Sequence, residues 1–185
     1  MLKQINFKSL LCAVLLISSS AAQWVLAAEE LDWLELMPAS DVEALLNMPE
    51  IEHTGPEAES GFYSLGGLKN QDKNLPEVMF SNKTVPALDG KQIALAGYPV
   101  PLETNEQSDY IEFFLVPYPG ACIHVPPPPP NQIVLVRYAK GIALPDIYEP
   151  LWVEGTLKVE PISNELADAA YAIIAKQVQI LTDDE

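Results

Sequence analysis

The chain has 185 residues, with 26 acidic against 10 basic side chains, a formal net charge of −16, 17 prolines and two cysteines. That length accommodates one ordinary domain with an arm, not two full domains. So acidic a surface, with no basic stripe to offset it, argues against nucleic acid partners and against docking on anionic lipid.

Residues 1–27 read as an export signal. Lys3 and Lys8 give the positive start, Leu10 to Ile17 the apolar run, and Val25-Leu26-Ala27 a small-residue cleavage site. The apolar run is shorter than the roughly 20 residues needed to span a bilayer. Cys12 follows Ser9-Leu10-Leu11, which lacks the small residue a lipid-anchor site wants, so a soluble periplasmic chain is expected, with a lipoprotein as the lesser alternative. Cleavage removes Lys3 and Lys8 and takes the charge from −16 to −18, and it leaves Cys122 as the one cysteine. No intramolecular disulfide can then form. An unpaired thiol in an oxidising compartment is buried, liganded or reactive.

Residues 28–84 are expected to form an arm and an irregular connection. Leu31, Trp33, Leu34, Leu36 and Met37 make an apolar cluster ending at Pro38. Ser40-Asp41-Val42-Glu43 fits a capping box, predicting a helix from about Asp41 to Asn47 with Val42, Leu45 and Leu46 on its apolar face. From Met48 to Thr84 periodicity is lost; Phe62, Tyr63, Leu65, Leu68, Val78, Met79 and Phe80 are spaced to pack a long connection.

Residues 85–181 carry the strand signals, and 182–185 form an acidic tail. Ile93 to Val100 reads as a strand bending at Gly97, closed by Pro101-Leu102-Glu103. Ile111 to Tyr118 is a second strand, with Glu112 and Phe114 on one face and Phe113 and Leu115 on the other. Ile133 to Tyr138 is apolar enough to be buried on both faces, and Leu151 to Val159 is a fourth strand with Gly155 inside it. Ser163 could cap a short helix through Glu165, Leu166 and Ala169; Tyr171 to Leu181 fits either its continuation or a last strand, and the strand is favoured because the barrel needs closing. The expectation is a mainly β fold: a small OB-like β-barrel with a short N-terminal helical arm.

Between the second and third strands stands Pro117-Tyr-Pro-Gly-Ala-Cys-Ile-His-Val-Pro-Pro-Pro-Pro-Pro-Asn-Gln132. In an extended segment Cys122 and His124 point to one side, and Val125 before a proline favours that conformation. Thiolate and imidazole suit zinc or copper. Two donors are too few for zinc, so Glu112, His53 or another chain would complete the set. The alternatives are a buried inert thiol beside a hydrogen-bonded histidine, or a thiol nucleophile activated by the imidazole. Few backbone donors are at hand for an oxyanion pocket in the nucleophile case. Pro126, Pro127, Pro128, Pro129 and Pro130 predict a polyproline II rod roughly 15 Å long. With Asn131 and Gln132, the rod is either a preformed ligand for an aromatic groove or a stiff crossover between core strands.

Gly97-Tyr98-Pro99-Val100-Pro101-Leu102, Glu112-Phe113-Phe114-Leu115-Val116-Pro117-Tyr118 and Ala121-Cys122-Ile123-His124-Val125-Pro126-Pro127-Pro128, with Asn131-Gln132, resemble the domain-of-unknown-function family 3299 over roughly Val85 to Leu181. The resemblance implies exported bacterial proteins, some of them lipoproteins. Through transporter genes under zinc control, it also implies a link to metal supply. It brings no established reaction and no established site residues. The resulting expectation is a non-enzymatic periplasmic protein that binds or hands over a transition metal, zinc first, beside a membrane transporter or periplasmic partner. The alternative is an interaction module that docks through the proline loop, with Cys122 and His124 structural.

Overall fold

A computed structural model of the chain describes residues 28–48, 67–69, 74–121, 127–144 and 146–181. The export signal, His53, Phe62, Tyr63, Leu65, Cys122, His124, Pro126 and the acidic tail lie outside the described residues. Six strands are present: β1 (Glu29–Glu30), β2 (Gln92–Thr104), β3 (Tyr110–Val116), β4 (Val134–Ile142), β5 (Leu151–Ser163) and β6 (Asp168–Ile180). The described residues also include an α-helix, α1 (Ala39–Leu46), and four 3-10 turns.

Strand order is β1-β2-β3-β4-β6-β5, and β5 pairs back onto β2. β2 to β6 therefore close into a five-stranded barrel in which β4 and β6 run parallel and the other neighbours antiparallel. This is the OB-like barrel expected from the strand signals.

The barrel closes because β2 serves two partners in turn. Its residues Gln92 to Gly97 pair with β5, and Tyr98 to Thr104 pair with β3. Gly97 sits at the changeover, where a Cβ would meet Leu115 Cγ and the Val116 carbonyl at 2.8 Å and the Trp33 ring at 2.9 Å. Beyond it β2 is paired on one side only, so Pro99 and Pro101 can sit within the strand although neither can donate to a ladder. β2 consequently runs on to Thr104, through register shifts near Pro101 and Glu103, instead of ending at Pro101.

Alternation along the strands fills two apolar layers. Ile93, Leu95, Phe113, Leu115, Val134, Val136, Leu151, Val153, Tyr171 and Ile173 fill the barrel interior. Val100, Phe114, Val116, Leu135 and Ala172 form a second cluster on the outer face. β4 is buried on both sides for this reason, and Phe113 and Phe114 go to opposite layers as the two-residue period requires. β6 is the long closing strand; residues 164–167 ahead of it form a turn, not a helix. There the Asn164 side chain accepts from the Leu166 and Ala167 N–H groups, leaving no helical ladder to nucleate.

The arm belongs to the barrel core. Leu31 and Leu36 join the interior cluster, Trp33 Nε1 donates to the Ala96 carbonyl at 2.7 Å, and β1 lies parallel to β2. Tyr171, fully buried, donates its hydroxyl to the Leu36 carbonyl at 2.8 Å and accepts the Val85 N–H at 2.6 Å.

The capping box is at Asp32 and Glu35, not at Ser40 and Glu43. Pro38 sets the start of α1 and offers no side-chain cap, which places Ser40 inside the first turn. Nor is Leu46 on the packed face of α1, since it is 70% exposed; the buried residue of the helix is Asp41.

Residues 67–69 cross to the opposite face. Leu68 is buried in the outer cluster, its N–H donates to the Leu166 carbonyl at 2.7 Å, and Lys69 pairs with Asp168 at 3.2 Å. Burying a leucine side chain contributes about 1.5–3 kcal/mol, the hydrogen bond about 1, and an exposed ion pair at most about 1. Ordering three backbone residues costs about 1–2 kcal/mol each, so these contacts hold the segment only marginally.

Candidate functional site

The connection between β3 and β4 is fixed at both feet. On the β3 side Ala121 is buried and Tyr118 packs against the outer cluster. Burial pushes the Tyr118 phenol up to about 12. On the β4 side Pro128 and Pro129 are buried, with Pro127 and Pro130 partly so. Pro129 has the extended φ −62 and ψ 156 expected of polyproline II, but Pro130 begins a 3-10 turn, Pro130–Gln132. The extended geometry therefore ends at Pro129, one residue before the run of prolines does. Cys122, His124 and Pro126 lie between the two feet, outside the described residues.

Asn131 and Gln132 are 0% and 4% exposed, and both grip the arm and its connection. Gln132 Nε2 donates to the Trp33 carbonyl at 2.6 Å and to the Asn131 carbonyl at 3.3 Å. The Asn131 N–H donates to the Ser81 carbonyl at 3.1 Å, and its Nδ2 to the Lys83 carbonyl at 3.0 Å. Nδ2 also reaches Asp41 Oδ2 at 3.4 Å, while the buried Oδ1 has no protein partner.

Asp41 is the centre of this polar node and is absent from the candidates drawn from sequence. Its carboxylate accepts from Lys83 Nζ at 3.0 Å, from Ser40 Oγ at 3.3 Å and from Ser81 Oγ. Burial raises its pKa, but the Ser81 and Lys83 hydrogen bonds, the Lys83 charge and the Ser40 hydroxyl outweigh that and hold it below 3.8. A carboxylate so fully engaged is a fastener, not a proton acceptor. Partners 40 and 90 positions away in sequence leave no local pattern by which to find it.

Glu112 is committed elsewhere. Arg137 Nε donates to it at 3.3 Å, while the two terminal nitrogens of Arg137 reach Glu160 at 3.2 and 2.8 Å. The Arg137 hydrogen bonds draw the Glu160 carboxyl below its ordinary value. Glu112 also lies four residues before the end of β3, about 13 Å along the strand from where the Cys-x-His connection departs. Among the described residues, no three His, Cys, Asp or Glu side chains are grouped to hold a metal ion. No described helix is long and apolar enough to cross a membrane.

A five-stranded barrel with an embedded arm and a doubly anchored β3–β4 connection defines the class: a small OB-like module. The chain belongs to the DUF3299 family of proteins of unknown function, whose model matches residues 33–180 and so takes in the arm as well as the barrel. The crystal structure of a DUF3299 family protein from Pseudomonas aeruginosa PAO1 is similar, at 42% identity and a TM-score of 0.62, over 86% of this chain and 99% of that one. OBody AM3L09 bound to hen egg-white lysozyme aligns at 12% identity and a TM-score of 0.34, over 63% of this chain and 98% of its own. At that score it carries no argument. No curated protein matches the sequence.

Proposed function

We propose that the protein is an exported, non-enzymatic module that binds or hands over a transition metal, zinc first, through Cys122 and His124. It would act beside a membrane transport system or a periplasmic partner. The observation that supports this reading is the anchoring of the β3–β4 connection. Ala121 on one side and Pro128, Pro129, Asn131 and Gln132 on the other are buried, so the short Cys-x-His stretch joins two held points. A loop tethered in this way loses less entropy on binding than a free one. Thiolate and imidazole are the donors that zinc and copper favour.

Glu112, already paired and at the far end of β3, is the weakest source of a third donor. His53, or a residue of the protein receiving the ion, is the better one. The docking alternative has less to work with, because Pro128 and Pro129 are buried in the chain itself and Asn131 and Gln132 spend their side chains on the arm.

The test is the zinc content of the purified mature protein after dialysis against micromolar zinc. The expected result is one equivalent in the wild type, lost in Cys122→Ser and His124→Ala. A folded wild type that stays metal-free overturns the reading.

A further inference from the structure

In OB-type barrels the ligand face is the outer surface of the second and third barrel strands, flanked by the turns between strands one and two and between four and five. Here those strands are β3 and β4, and the flanking turns are residues 105–109 and 164–167. That surface is apolar: Phe114, Val116 and Leu135 lie on it, with Val100 and Ala172 beside them. An apolar surface takes apolar side chains, such as a leucine's, in preference to a phosphate.

A segment of the same chain covers part of this face, beside Tyr118, Ala121 and Ile133 of the β3–β4 connection. Leu68 inserts its side chain into the cluster, its N–H donates to the Leu166 carbonyl on the flanking turn at 2.7 Å, and Lys69 Nζ reaches Asp168 at 3.2 Å. Gly67 makes the approach possible. Its φ is +67°, and a Cβ there would meet the Leu166 carbonyl oxygen at 2.9 Å. A main-chain donor, one leucine side chain and one lysine ammonium are the contacts by which an extended peptide would be read. These contacts roughly offset the cost of ordering the segment that makes them.

We propose that residues 67–69 are an internal, displaceable ligand. The outer face of β3 and β4 is then a receptor for an extended segment of a partner polypeptide carrying a leucine-sized residue followed by a basic one. The lysine preference follows from Asp168 and from the strongly negative charge of the chain. The contacts named make no use of Cys122 or His124, although Tyr118 and Ala121 of their connection belong to the same cluster.

The experiment uses the mature chain and a fluorescent peptide of residues 64–72, followed by anisotropy. Leu68→Ser removes the inserted side chain, and Gly67→Val lifts the segment because a Cβ there meets Leu166. Two separate variants guard against one that fails to fold, and far-UV circular dichroism checks both. Contacts that roughly offset the ordering cost leave about half the sites open, so each emptied variant should bind the peptide about twofold more tightly than wild type. The same peptide carrying Leu68→Ser, with Leu65 kept, should not bind. Asp168→Ala, added to the emptied protein, should weaken binding several-fold. A folded, emptied variant that ignores the peptide overturns the proposal, and so does equal binding of the leucine and serine peptides.

Discussion

Gln132 donates its side-chain amide to the main-chain carbonyl of Trp33 at 2.6 Å, across 99 positions of sequence. One residue on the β4 foot of the Cys-x-His connection thus holds the arm that packs into the barrel core. Asn131 beside it holds the connection through the Ser81 and Lys83 carbonyls. The arm, the 77–88 segment and the proline-rich loop consequently share one buried polar joint, and disturbance of any of the three is felt by the other two.

Gln132→Ala should destabilise the protein by about 1–3 kcal/mol, because it removes a buried donor and leaves the Trp33 carbonyl without it. Urea unfolding measures this as a lower midpoint at an unchanged slope. An unchanged midpoint would mean that water replaces the amide at no cost. Gln132→Glu should be worse, since a carboxylate has no hydrogen to offer the carbonyl and would be desolvated beside it.

The barrel was legible in the sequence because each strand carries a local signal. β-branched runs such as Val134 to Val136 and the Phe113-Phe114 pair obey the two-residue period whatever surrounds them. The joint was not legible, because its members come from positions 41, 81, 83 and 131 and no periodicity links them. Ser40-Asp41-Val42-Glu43 did announce a helix nearby, yet the box it suggested competes with Pro38, which fixes the helix start on its own. The local pattern therefore placed the helix correctly and assigned the polar side chains wrongly. Asp41, which resembles an ordinary exposed helix acid, is buried because Lys83 and two serines converge on it.

Asp41 gives the joint a pH dependence with a definite sign. Its carboxyl is held below 3.8 in the folded state, so the stability it contributes is present above the unfolded value and is lost as pH falls through the folded one. Unfolding free energy should therefore decline more steeply below about pH 4 in wild type than in Asp41→Asn. Glu160, also drawn downward by Arg137, contributes the same sign in both proteins, and the difference between the two slopes isolates Asp41. Parallel slopes would show that the Lys83 and serine contacts do not favour the ionised form. At neutral pH Asp41→Asn should also be less stable, because Lys83 loses its partner.

Gly97 in β2 and Gly155 in β5 make opposite demands on a substitution. At Gly155 a Cβ would collide with the Ile174 carbonyl oxygen and lie 2.7 Å from Ile173 Cγ2, beside the register shift between β5 and β6. Relief there requires the β6 backbone to move, and β6 is hydrogen-bonded on both sides to β4 and β5. At Gly97 two of the three obstacles are side chains, Leu115 and the Trp33 ring, and Trp33 belongs to the arm. Gly97→Ala should then be accommodated in part by displacing Trp33, at about 1–3 kcal/mol, while Gly155→Ala should cost more. Near-ultraviolet circular dichroism separates the mechanisms. Gly97→Ala should alter the tryptophan signal of a protein that still unfolds cooperatively, whereas Gly155→Ala should lower the melting temperature further. Equal melting temperatures would mean that β6 yields as easily as a side chain, which its two-sided pairing argues against.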